Sequence, residues 1–197
     1  DIFPSNKSVK KAIEAKLFLV NGNEASRGIF IKAGDHIIIL AKKSTFKVFE
    51  FKVEVQYEDD DFAIINKPSG LSVHSNSHRN LINALPNNLS KSMAIDALHQ
   101  AMPVHRIDAL TSGLVLVAKN RTFQIALGRL FEQRLIKKTY IAIVLGKLTG
   151  EGIFSTNIEG KEAHSSYKCI DTKEHNKYRG LSLLELTPKS GRTHQLR

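Results

Sequence analysis

Short apolar runs separated by polar turns dominate this chain, and few stretches show the three-and-four spacing of a helix. Such runs predict strands over 17–20, 36–40, 53–57, 62–66, 114–118, 138–146, 163–170 and 181–186. Helical spacing appears at Phe123, Ala126, Leu127, Leu130 and Phe131, so Arg121 to Glu132 reads as one amphipathic helix. A shorter helix is expected over 8–15 with Ser8 as its cap, and another around 80–85. Asn21-Gly22, Lys32 to Asp35 and Lys67-Pro68-Ser69-Gly70 are turns, because Gly and Pro stop both regular structures. Residues 75–100 are rich in Asn and His with weak periodicity, and read as loop around the second short helix. Many strands with few long helices predict an α+β fold built on a mixed or antiparallel sheet.

The pattern also divides the chain. Residues 1–40, a helix and a few short strands, are too small for a robust core and read as a separate module. Residues 41–52, with Lys42, Lys43, Ser44 and Thr45, read as a linker, and 53–197 as the main domain. With 197 residues and 42% hydrophobic content, one sizeable core is affordable. No apolar run reaches the ~18 residues of a membrane span and no secretory leader is visible, so no membrane partner is expected. The single cysteine, Cys169, excludes an internal disulfide and suits a reducing, cytoplasmic setting, where it reads as a small core residue.

Charge adds a partner. Twenty-nine Lys and Arg against 19 Asp and Glu give a net charge of +10, spread along the chain, which favours a polyanion on a folded basic surface. RNA or DNA fits better than anionic membrane, since no helix pairs a basic face with a bulky apolar one.

The candidate chemistry centres on His105-Arg106-Ile107-Asp108, just before Thr111-Ser112-Gly113 and an apolar strand. A carboxylate among cations stays ionised and can serve as nucleophile or base. It can equally form a surface ion pair with Arg106, two residues away on the same face of an extended segment. His99, His105 and Asp108 match no zinc spacing, Ser112 lacks a G-x-S-x-G elbow, and no phosphate-binding glycine loop occurs. No metal or cofactor is therefore expected. Tyr140 reads as a core aromatic or as a stacking face for a base, and Arg192, His194 and Arg197 as a basic turn or an anion clamp.

Four motifs carry a resemblance. H-R-I-D-x-x-T-S-G at 105–113, K-x-Y-x-A at 138–142, S-G-R-T-H-Q-L-R at 190–197, and the opening from Tyr57-Glu58-Asp59 to Asn66-Lys67-Pro68-Ser69-Gly70 resemble, in order and spacing, the RNA pseudouridine synthases of the ribosomal large subunit type. The likeness covers roughly 53–197. Val20-Asn21-Gly22 and Ala33-Gly34-Asp35 resemble, more weakly, a small RNA-binding domain shared with a small-subunit ribosomal protein, here a partial module.

The resemblance implies an isomerase that turns uridine into pseudouridine in ribosomal or transfer RNA on a flipped-out nucleotide, acting as a monomer. It implies Asp108 as catalytic nucleophile or base, Tyr140 as the active-site tyrosine and Arg197 as the arginine paired with Asp108. Arg106 would lie beside the flipped nucleotide, with His105, Lys67, Arg192 and His194 as RNA contacts or support. Ile107 replaces a common leucine at little cost, and the family's catalytic domain is expected to continue past Arg197. Two alternatives remain: an RNA-binding protein that keeps the fold without catalysis, and a nucleoside glycosidase, for which Asp96 is the nearest upstream second acid.

Overall fold

The computed structural model describes residues 5–40 and 47–197, and the chain divides into two units, Asp1–Phe46 and Lys47–Arg197. In the first, helix α1 (Asn6–Glu14) is followed by strands β1 (Phe18–Val20), β2 (Asn23–Glu24) and β3 (Ile37–Ile39), in an antiparallel sheet ordered β2-β1-β3. The cap of α1 is Ser5, not Ser8. Ser5 is extended and accepts the Ser8 N–H, while the Ser8 hydroxyl is 3.1 Å from the Ser5 N–H it accepts. A capping box places a small hydroxyl residue at both positions, so the pattern points to the region and geometry picks the residue. Asn21 and Gly22, both at positive φ, form the expected hairpin turn. Asn21 also grips the next turn, donating to Asp35 Oδ1 at 2.8 Å and accepting the His36 N–H at 2.9 Å. Among the described residues of this unit only Ala12 and Val20 are buried apolar side chains, and Phe30 is 90% exposed.

The second unit carries two four-stranded sheets. The first, ordered β4-β5-β7-β6, comprises β4 (Glu54–Glu58), β5 (Phe62–Lys67), β6 (Ala97–Pro103) and β7 (Gly113–Asn120). Its neighbours are all antiparallel. On β5 the residues Ala63, Ile65 and Lys67 are buried alternately, as one pleat face requires. Ala63 and Ile65 pack with Val115 and Val117 of β7, and with Leu71, Val73, Leu81, Leu85 and Ile107. Leu81 and Leu85 come from helix α2 (Leu81–Ala84), capped by Asn80, and the 3-10 turn that follows it. Helix α3 (Arg121–Glu132) leaves β7 directly. Its cap Asn120 accepts the Phe123 N–H at 2.9 Å and donates to Asp61 at 2.7 Å.

The second sheet is ordered β8-β11-β10-β9, with β8 (Tyr140–Leu145), β9 (Glu151–Ile158), β10 (Lys161–Lys173) and β11 (Leu181–Pro188). All its pairs are antiparallel, and Leu186 of β11 lies opposite Tyr140 of β8. The α+β expectation with antiparallel sheets matches this architecture.

Three local expectations change. Strand β6 begins inside the stretch read as loop and runs three residues past it; a partner strand, not periodicity, makes Ala97–Pro103 extended. Strand β9 was not foreseen, because Glu151-Gly152 and Ser155-Thr156-Asn157 break up its apolar residues. Of the expected linker, 41–46 lies outside the described residues, and the remainder belongs to the second unit. Phe49 and Phe51 stack at 5.3 Å and pack on its core, and the Phe49 N–H donates to Asn83. Apolar packing overrides the polar composition of that segment.

Candidate active site

The connection from β6 to β7 is where the candidate acid is built. Its first residue past the strand, Val104, still donates its N–H to the Leu116 carbonyl. The next ladder position is filled by a side chain: His105 Nε2 accepts the Leu116 N–H at 3.0 Å. The His105 ring stacks on Phe131 of α3 at 4.5 Å. Burial, aided by the charge of Lys138, pushes its pKa down to about 4, so the imidazole is neutral at physiological pH. His105 therefore stands in for a backbone carbonyl instead of offering a cation to a substrate.

Ile107, 7% exposed, then plugs into the core and sets the direction of its neighbours. Arg106 is exposed and forms no ion pair among the described residues, so the alternative of an Arg106–Asp108 surface pair fails. Asp108 finds its partners 86 and 89 residues later. His194 Nδ1 is 2.9 Å and Arg197 Nε 3.1 Å from the same oxygen, Oδ2. The other oxygen, Oδ1, has no protein partner among the described residues. The Asp108 side chain is 19% exposed, enough for a substrate atom to reach it.

Lys67 holds the turn behind Asp108. Its Nζ, with the residue 0% exposed, donates to the carbonyls of Pro68 at 2.8 Å, Leu71 at 2.7 Å and Ala109 at 3.1 Å. Burial lowers its pKa, and the Asp108 carboxylate raises it in opposition. The Ala109 carbonyl also accepts the Gly70 N–H at 2.8 Å, and Ser69 Oγ donates to Leu110 at 2.7 Å. The Lys67-Pro68-Ser69-Gly70 turn is thus stitched to the residues that follow Asp108. Lys67 sits beneath the site and not on its surface.

The turn after β11 brings the two partners. His194 has φ +58, a left-handed conformation uncommon for residues other than glycine. Gln195 fixes it. Its carbonyl oxygen accepts from Ser190 Oγ at 2.8 Å and the Arg192 N–H at 2.9 Å. Its amide donates to the His164 carbonyl at 3.0 Å and to Ser165 Oγ at 2.9 Å. Arg192 is drawn to β10, with Nε 3.1 Å from the Glu162 carbonyl. Gln195 was not singled out from sequence, and Phe131 was read only as an apolar position of the helix. Gln195 lies inside the quoted terminal motif, and its polar amide beside Ser190 was the available signal.

Tyr140 begins β8 opposite this turn and packs its ring on the core of the first sheet. Burial first, and Asp108 second, push its phenol above the ordinary value, so it keeps its proton at neutral pH. His105, Arg106, Asp108, Lys138, Tyr140, Arg192 and His194 all line one cleft of about 340 Å³. An adjoining groove of about 710 Å³ shares Phe131, Lys138 and Tyr140 and adds Ser112, Ile136 and Lys137. Among the described residues no group of three or more His, Cys, Asp and Glu could hold a metal ion. No helix among them is long and apolar enough to cross a membrane.

Fold and cleft define a class: α+β proteins with one acidic side chain, braced by basic ones, where two antiparallel sheets meet around a tyrosine. The chain belongs to the RNA pseudouridylate synthase family, whose model matches residues 61–197. It is 34% identical to the ribosomal large subunit pseudouridine synthase C of Rickettsia felis, covering 96% of this chain and 70% of that protein. It is 32% identical to the ribosomal large subunit pseudouridine synthase D of Nitrosomonas europaea, covering 94% of this chain and 58% of that protein. Among solved structures, human RNA pseudouridylate synthase domain containing 4 shares the fold, with a TM-score of 0.57 at 23% identity over 73% of this chain and 61% of that one. The human domain-containing-1 protein does so with a TM-score of 0.59 at 22% identity, over 74% and 63%.

Proposed function

We propose that this chain carries out uridine-to-pseudouridine isomerisation on ribosomal RNA, with Asp108 as the reacting group. The observation that carries the reading is the asymmetry of the Asp108 carboxylate. Oδ2 is tied to His194 and Arg197, while Oδ1 has no protein partner among the described residues and Asp108 lines the cleft. Tying one oxygen fixes the rotamer and leaves the other as a positioned nucleophile or base. Arg197 supplies the positive charge beside it. Tyr140 offers a flat face for the base and a phenol O–H that can donate. The exposed guanidinium of Arg106 is placed to fill the stack that an extruded uridine leaves.

Isomerisation exchanges a carbon–nitrogen bond for a carbon–carbon bond between the same two pieces, with no net redox change, so acid, base and positioning groups suffice. The relatives named for the ribosomal large subunit favour ribosomal over transfer RNA. The basic first unit, with Lys7, Lys10 and Lys11 on one short helix, acts in this reading as a small RNA-binding module of the ribosomal-protein type. The enzyme works as a cytoplasmic monomer.

The test is Asp108→Asn in the full chain, mixed with transcribed large-subunit ribosomal RNA. Pseudouridine formation should fall by at least ~1,000-fold while RNA affinity stays within about threefold. Retained turnover would remove Asp108 from the chemistry. Loss of RNA binding in the wild type would remove the substrate.

A further inference from the structure

We propose that His194 is the base that takes the uracil C5 proton in the last step of isomerisation; this rests on the reading of the cleft given above. Once C5 has joined the sugar, that carbon holds both the new carbon–carbon bond and its original hydrogen. The C5–H bond must then break, its electron pair restoring the ring double bond between C5 and C6. N1, released from the sugar, takes up a proton, so the whole reaction neither gains nor loses one. A group with an open lone pair beside the base is required, in addition to the oxygen that works on the sugar or ring.

The side chains of the cleft meet that requirement unequally. Arg106, Lys138 and Arg192 offer donors only. The Nε2 lone pair of His105 is occupied by the Leu116 N–H. Tyr140 holds a phenol that burial and Asp108 make harder to deprotonate. Asp108 has one oxygen tied and one committed to the first steps.

His194 differs from all of these. Its Nδ1 is 2.9 Å from Asp108 Oδ2, and a carboxylate can only accept, so the neutral ring carries its proton on Nδ1 and its lone pair on Nε2. Nε2 has no protein partner among the described residues. The side chain is 52% exposed and lines the cleft together with Tyr140. A carboxylate that accepts from one imidazole nitrogen orients the ring and stabilises the imidazolium formed when the other takes a proton. The backbone around it is held at a cost. His194 sits at φ +58, and Gln195, accepting two hydrogen bonds and donating two, keeps the turn in that shape. Strain held in place by its surroundings is characteristic of working positions.

The proton of C5 therefore passes to His194 Nε2, and from there to solvent or to N1. Asp108 acts twice, first through Oδ1 on the sugar or ring and then through Oδ2 as the anchor of the base.

The test compares transcribed large-subunit ribosomal RNA made with ordinary uridine and with uridine deuterated at C5. His194→Asn keeps an amide that can donate to Asp108 but has nothing at the Nε2 position. His194→Gly suits the left-handed backbone, which protects folding, and opens a hole for imidazole added to the buffer. Product formation by either variant should fall ~100-fold or more with RNA affinity within about threefold. A deuterium isotope effect of about 3 or more should appear in the variants and exceed that of the wild type, because C5–H cleavage has become slow. Imidazole should restore the rate of His194→Gly and shrink the isotope effect. A variant that loses rate without a larger isotope effect, or that stays within about tenfold of wild type, overturns the assignment and leaves the Asp108 reading intact. Unchanged activity of Asp108→Asn, or a wild type that forms no pseudouridine on RNA it binds, overturns the reading itself.

Discussion

Strands β5 and β7 pair from Phe62 opposite Ala118 to Lys67 opposite Gly113, and a solvent-free lysine stands near each end of that ladder. At one end Lys119, 3% exposed, places Nζ 2.7 Å from Glu58 Oε1, with the Asp59 carbonyl and Ser90 Oγ as further partners. At the other end Lys67, 0% exposed, is caged by three carbonyls and meets no carboxylate within ion-pair distance among the described residues. The first charge is neutralised where it sits, and it closes the acidic Glu58–Asp61 turn onto the sheet. The second is satisfied by dipoles alone, so its field remains to act on Asp108, the carboxylate that opposes the fall in its pKa. A buried cation that is paired secures a fold, and one that is only solvated by carbonyls can serve a site.

That contrast can be broken at several points. The largest effect on stability is expected from Lys119→Ala. It takes the cation from Glu58, whose side chain is only 23% exposed and keeps just the Ser90 N–H and hydroxyl as donors. Breaking such a pair should cost about 3 kcal/mol, a fall in Tm of roughly 6–12 °C, read by thermal denaturation. Activity per folded molecule should be unchanged, since the site is at the other end of the ladder. A loss of turnover at unchanged stability would show that the two ends are not independent.

Next in size is the pH dependence of His105. Its folded pKa of about 4 lies below its ordinary 6.5, so the unfolded chain binds the extra proton first. The stability it contributes is complete above pH 6.5 and is lost as pH falls toward 4, up to ~3 kcal/mol in all. Glu58, also depressed, adds the same sign only below its ordinary 4.5, which leaves the upper part of the window to His105. Denaturant melts at half-unit pH steps should show the slope. His105→Gln, which keeps an acceptor for the Leu116 N–H, should flatten it; a slope that persists would assign it to another group.

Lys67→Met should be the mildest in stability. Removing three hydrogen bonds is offset in part by relief from burying a charge, and a loss of about 1–2 kcal/mol is expected. Turnover should fall several-fold more than RNA affinity, because the turn behind Asp108 loosens and its cation is gone. Equal losses in kcat and affinity would make Lys67 a general structural residue and erase the difference between the two lysines.

How far the sequence could be read depends on how local each feature is. Helix α3 was legible to the residue, because its apolar spacing is contained within a dozen residues. Strands β5, β7 and β11 announce themselves by apolar runs that need no partner to be recognised. Strands β6 and β9 do not, since their residues become strand only beside β7 and β10. The cap moved from the expected Ser8 to Ser5 for the same reason: both residues fit a cap, and only backbone geometry chooses. In the site, Asp108, Tyr140 and Arg197 were nameable from ordered motifs. The alternative of an Arg106–Asp108 pair came from sequence proximity and fails; the expected Arg197 partner, 89 residues distant, is present, and His194, 86 residues distant, joins it.

By itself, then, the sequence determined the class of fold, the basic character of the chain, the order of its motifs and which acid stands as the candidate. These depend on composition and short-range spacing, which are properties of the chain before it folds. The tertiary structure decided which oxygen of Asp108 is tied and which is open, that His105 serves the backbone and His194 the carboxylate, and that one buried lysine is paired while the other is not. Each of those depends on hydrogen-bond direction and on burial, and neither exists until β7, β8 and the turn after β11 have been brought together.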